Sequence, residues 1–246
     1  MDYTNSIQKD FFYLHLLSEQ LVKITFHDPQ KSLYQLSGRI AKAREKLKSD
    51  FPDLQKDDAR ITVYSHCVNT VESVLFSMIF EKEQLADKSW YQKVPYIVQP
   101  TDSEIPSIQE NYDAFLSVAL VTEYFACFEI FFRNLIKKLI PTNKENSFHS
   151  ICEKILKKLS LQNYQHKFDM YRFIRNSLHN NGIVTEKDAR PILYNGVWYK
   201  FEQGKRIQVN WRMLCKLSAE LEECLSKIIY SEKVSIFEFI KDPSHS

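Results

Sequence analysis

The sequence predicts a mainly helical protein with one small antiparallel β-meander inserted near its C-terminal end. Three observations lead there. Apolar residues recur at helical spacing through most of the chain. Only four glycines occur, and Gly182, Gly196 and Gly204 lie close together. That same stretch alternates aromatic and β-branched residues as strands do. With 246 residues, 44% of them hydrophobic, the chain can build a substantial core, as one large unit or two smaller ones.

Taken in order, a first helix is expected over about 5–26, where Phe11, Phe12, Leu14, Leu17, Leu21 and Ile24 recur at helical spacing and Asp28-Pro29 ends the run. A second, about 30–48, sets Leu33, Leu36, Ile40 and Leu47 opposite a basic face. Val68, Val71, Val74, Leu75, Met78 and Ile79 predict a third over about 57–86. Residues 87–107, with Pro95, Pro100 and Pro106 and no clear period, read as a loop or linker. A helix from Gln109 to Ile140 is apolar nearly all round and is expected to be the central buried element, closed by Pro141. A short basic helix follows at about 147–159, with Asn146 or Ser147 as its cap. Next comes a helix at about 162–178, ended by Asn180-Asn181-Gly182. Asn195-Gly196 is the strongest two-residue hairpin signal, and Gln203-Gly204 turns the chain again, so a meander is expected over about 192–209. A final helix spans about 210–231. These elements group into an N-terminal helical part (1–86), a loop or linker (87–108), a helical core with the meander (109–235) and a C-terminal tail (236–246).

Net charge is only +2, but it is unevenly distributed. From Arg133 to His179 ten Lys or Arg face three acids, a local balance of +7. Lys154, Lys157, Lys158 and Lys167 in this segment are the candidate contacts to an anionic partner, with RNA the natural one. The competing reading makes them an ordinary solvated helix face. Five scattered cysteines without a Cys-x-x-Cys pair indicate neither a zinc ribbon nor a disulfide framework, and a reducing cytoplasm is expected. No secretory leader is read at the N-terminus. The longest apolar run is broken by charged residues and reads as a buried helix rather than a membrane span. The histidines show no metal-ligand spacing and no phosphate-binding glycine loop occurs, so no metal or cofactor is expected. Glu123 and Glu129 face different ways, which argues against a carboxylate pair; one or both are candidates to bond the arginines from within. Tyr194, Trp198, Tyr199 and Phe201 in the meander are candidate base-stacking residues, against the commoner role of packing.

The stretch Arg172-Phe-Ile-Arg175-Asn176-Ser-Leu-His179-Asn-Asn-Gly182 concentrates chemistry at the end of a predicted helix. Arg172, Asn176 and His179 fall on one stripe, with Arg175 beside it. Arginine suits phosphate oxygens, and histidine gives or takes a proton near neutral pH. An ordinary helix terminus also gathers cations and capping asparagines.

This stretch resembles the signature of the HEPN superfamily, in which an arginine, then a polar residue, precedes a histidine at the C-terminal end of a helix. Arg175-Asn176 supplies the Arg-polar pair, while Arg172 to His179 supplies the usual spacing; of the two, the pair points to Arg175. The tyrosine that one toxin subgroup places two residues after the histidine is replaced by Asn181. The resemblance implies a HEPN-type helical bundle and a metal-independent endoribonuclease working as a homodimer. His179 would be its acid or base, Arg172 or Arg175 its charge-stabilising group, and Asn176 an orienting or phosphate-contacting residue. It also implies a role in toxin or antiviral systems, with an antitoxin or regulatory partner. Two alternatives stay open: a non-catalytic helical module that binds RNA or a protein, and a structural scaffold.

Overall fold

The computed structural model describes residues 28–94, 99–180, 182–185, 191–194, 196–207 and 209–242. The helix expected at 5–26 lies outside these residues. Asp28-Pro29 opens the next helix. The Asp28 carboxylate accepts from the Gln30 N–H at 2.8 Å, and Pro29 takes the first position of α1 (Pro29–Asp50), where its missing N–H costs nothing. Asp58 caps α2 (Ala59–Phe80) in the same way, and α2 runs on into a π-helical turn, Glu81–Leu85.

The expected loop over 87–107 is shorter than its composition suggested. It contains a six-residue helix, α3 (Lys88–Lys93), capped by Asp87, and α4 (Ile105–Leu139) begins before Gln109. Pro106 sits in the first turn of α4, where a proline is tolerated, and so marks a helix start rather than a loop. The 35 residues of α4 form the central helix. By length and composition it could cross a bilayer, yet half of its most apolar window is buried against other helices of this chain. It is not sealed all round: Phe115 and Ile130 are exposed.

Ser147 caps α5 (Phe148–Lys158), and a 3-10 turn at Gln162–Tyr164 leads into α6 (Gln165–His179). Aromatic rings lock these two helices onto α4. Phe125 of α4 meets Phe148 of α5 at 4.7 Å and lies parallel to Tyr171 of α6 at 5.8 Å, while Phe132 meets Phe168 at 5.2 Å. Such contacts add directional preference to the burial of large apolar side chains. They also bring the first turn of α5 beside the middle of α6.

The meander reduces to a hairpin. β1 (Ile192–Tyr194) and β2 (Val197–Tyr199) pair antiparallel, with Leu193 opposite Trp198. The strand expected over 206–209 is not formed among the described residues. Arg206 instead makes a single bridge to Ile183, and Ile207 donates to the Gly182 carbonyl at 2.9 Å. After the Gln203-Gly204 turn the backbone therefore clamps the exit of α6 rather than extending the sheet. Asn210 caps α7 (Trp211–Ile229), and α8 (Glu232–Ser235) follows. Beyond it the chain returns to α2, where Asp58 accepts from the Ile240 N–H at 3.1 Å and Ile240 is fully buried. One cluster of buried residues runs from Leu33 through α4 to Ile240.

A candidate nucleic-acid site on the motif helix

Helix α6 exists because its inner face is apolar. Phe168, Met170, Tyr171, Phe173, Ile174 and Ser177 are buried, whereas Leu178 is only half-buried. The helix ends where Asn180 leaves helical geometry. Gly182 takes a positive φ of 78° and its N–H closes on the Ser177 carbonyl at 2.8 Å.

The four motif residues separate along this helix. Arg172 is half-buried and faces an open groove of about 890 Å³ between α5, α6 and the hairpin. Arg175 leans the other way, its guanidinium 5.5 Å from the centre of the Phe125 ring and its Nη1 donating to Asn176 Oδ1 at 3.4 Å. His179 is exposed at the helix end and has no hydrogen-bond or ionic partner among the described residues. It lies outside the groove, seven residues and about 10 Å of helix rise beyond Arg172.

The groove brings in residues that the sequence motif did not include. His149, in the first turn of α5, places Nδ1 2.8 Å from Asp169 Oδ1. An ionised carboxylate can only accept, so this contact fixes the hydrogen on Nδ1 and leaves Nε2 as the ring's second hydrogen-bonding position. Arg172 Nε stands 3.9 Å from the same Asp169 oxygen, and Gln165 reaches it at 3.4 Å. His166, one turn before Asp169, also lines the groove. Desolvation by its surroundings, and after it the positive charge of Lys167, holds His166 below the ordinary histidine range. The opposite wall is the hairpin, with Leu193 and an exposed Trp198. Two imidazoles, a carboxylate and a guanidinium therefore face an indole across an open cleft.

The lysines proposed from charge divide into two places. Lys154, Lys157 and Lys158 surround a shallow depression of about 550 Å³ with Lys233. Lys154 is held by Asn143 at 2.9 Å and Glu145 at 3.4 Å, whereas Lys157 and Lys158 are exposed. Lys167 pairs with Glu220 at 3.3 Å and covers the Tyr164 ring. Glu129, considered as an inward partner for the motif arginines, instead bonds Arg133 one turn on, at 2.6 Å, and Glu123 is exposed. Among the described residues no group of three or more His, Cys, Asp or Glu side chains is arranged to hold a metal ion. All five cysteines are buried and free.

Comparison with protein families, curated proteins and solved structures gave no match to this chain.

Proposed function

We propose that this chain is a metal-independent endoribonuclease of the HEPN type, working as a twofold dimer in a reducing cytoplasm. The observation that carries this reading is the position of Arg172. Of the two motif arginines it is the one at the groove, beside a histidine–carboxylate pair and two turns before His179 on the same face of α6. The ribose 2′-OH attacks the adjacent phosphorus. A 2′-O–P bond forms while the P–O5′ bond breaks, leaving a 2′,3′-cyclic phosphate and a 5′-OH. One histidine takes the 2′-OH proton and another supplies a proton to O5′. The exposed His179 of each of two chains provides this pair across a twofold axis, and Arg172 stabilises the charge that builds on the phosphate oxygens. Toxin or antiviral use would follow from such an activity, with a regulatory partner holding it in check.

A second reading, a non-catalytic RNA-binding module, is favoured by one observation: His179 stands outside the groove that holds Arg172. The two are separated by incubating the protein with end-labelled RNA in EDTA. The ribonuclease reading expects EDTA-resistant cleavage with cyclic phosphate ends, lowered by about 10²–10⁴-fold in His179→Ala. Intact RNA that is nevertheless bound would leave the binding module.

A further inference from the structure

We propose that the groove between α5, α6 and the hairpin is a subsite for one unpaired nucleotide of single-stranded RNA, with the base stacked on Trp198 and the phosphate against Arg172. The inference rests on the ribonuclease reading for the identity of the strand. It adds that the strand must be single.

The argument begins with the hairpin register. Ile192 and Tyr194 turn inward and are 8% and 1% exposed, so Leu193 and its cross-strand partner Trp198 share the outer face. Trp198 is 62% exposed. The core does not need it there: the segment is anchored instead by Phe201, whose ring stacks on Phe173 of α6 at 4.8 Å and 18°. A large indole held out of the core on a paired strand, over a groove rather than over open solvent, offers a flat apolar platform. A base of any identity can stack on such a platform.

The facing wall has complementary chemistry. Asp169, with His149 bonded to it at 2.8 Å, presents acceptor positions suited to the donor edge of a base. Arg172 supplies the permanent cation for a phosphate, at the end of the groove wall nearer His179. A free phosphate would leave Trp198 without a role and would meet the Asp169 carboxylate. A purely apolar ligand would bring the Arg172 and Asp169 side of the groove nothing polar to meet. A ligand with a planar face, a hydrogen-bonding edge and one anionic group fits both walls, and a nucleotide has all three. In a duplex the base faces are stacked on one another and cannot reach the indole, so the groove selects unpaired RNA. Lys157 and Lys158, at the far end of α5 about 14 Å from His149, extend the positive surface for the rest of the strand.

The test uses a fluorescein-labelled 2′-O-methyl oligonucleotide, which lacks the free 2′-OH and so is not cut. Its binding is read by anisotropy for the full chain and its variants, beside a duplex of the same sequence. Trp198→Ala is expected to weaken single-strand binding about tenfold or more, Trp198→Phe to restore it to within about threefold, and the duplex to bind at least about tenfold more weakly. Retention of affinity in Trp198→Ala within about twofold, equal binding of the duplex, or no binding by the wild type each overturns the proposal. Because the probe is not cleavable, the outcomes stay separate from catalysis. Trp198-dependent binding by a protein that leaves natural RNA uncut would support this subsite and remove only the ribonuclease reading. Cleavage with Trp198-independent binding would do the reverse.

Discussion

Two Asp–Arg pairs of similar sequence spacing show how differently one chemistry is used in this fold. Asp58 and Arg60 are 0% and 1% exposed and bond through two parallel contacts at 2.8 and 2.7 Å. The remaining positions are taken by backbone: Arg60 also donates to the carbonyls of Val234 and Glu238, and Asp58 accepts from the N–H groups of Arg60 and Ile240. Asp169 and Arg172 are each 22% exposed and stand 3.9 Å apart, with His149 sharing the same carboxylate oxygen. The first pair is sealed, saturated and bidentate, and it ties the C-terminal segment to the start of α2. The second is partly exposed and lines a groove, which puts its guanidinium within reach of an anion there. Burial of the pair, rather than its presence, marks which arginine holds structure and which lies where a ligand could reach it.

The comparison breaks most visibly in stability. Asp58→Ala leaves Arg60 buried without its counter-charge and is expected to cost about 3–5 kcal/mol. Urea unfolding should show it as a large drop in midpoint, while Arg172→Ala, at a partly exposed pair, should stay within about 1 kcal/mol of wild type. An equal loss from both would end the distinction. The order should invert for RNA. Arg172→Ala is expected to weaken binding by a factor of about 10 or more, and Arg172→Lys to recover only part of it because the planar fork is lost. Arg175→Ala, whose guanidinium lies on Phe125, should do less. Asp169→Asn should come next, releasing the His149 ring while costing less than about 1 kcal/mol of stability; chemical-shift changes of the His149 ring would report it. The smallest effect concerns acidification. His166 is held below its unfolded value by desolvation and by Lys167, so the unfolded chain binds the proton more readily. Its contribution to stability is therefore present above about pH 6.5 and is lost as the pH falls from there through the lower folded value. His166→Gln should flatten that part of a pH–stability curve.

Much of the helical frame was legible because its signals are local. Asp58, Ser147 and Asn210 sit at helix starts, and the stripe on α6 carries its own period. One error came from reading a proline one way only: Pro106 was assigned to a loop, though it sits in the first turn of a helix. The third strand failed for a different reason: Ile183 lies more than twenty residues before Arg206, and only the tertiary path of the chain shows that the two pair. The candidate site was half legible. Arg172 and the stripe to His179 follow from helical geometry. His149 was passed over because its partner Asp169 is twenty residues away on another helix, and the aromatic contacts that bring them together carry no spacing rule. One sequence signal pointed there: Ser147 opening a helix sets His149 in its first turn, on a segment short enough to fold back onto α6.

The central claim, metal-independent cleavage of RNA centred on Arg172, is tested most directly by one measurement. Purified wild type and Arg172→Ala are incubated with end-labelled single-stranded RNA in excess EDTA, and the product ends are identified. The account predicts fragments with 2′,3′-cyclic phosphate and 5′-OH ends from the wild type, with the rate reduced about 10²-fold or more in Arg172→Ala. RNA left intact by the wild type, or cleavage undiminished in the variant, would contradict it.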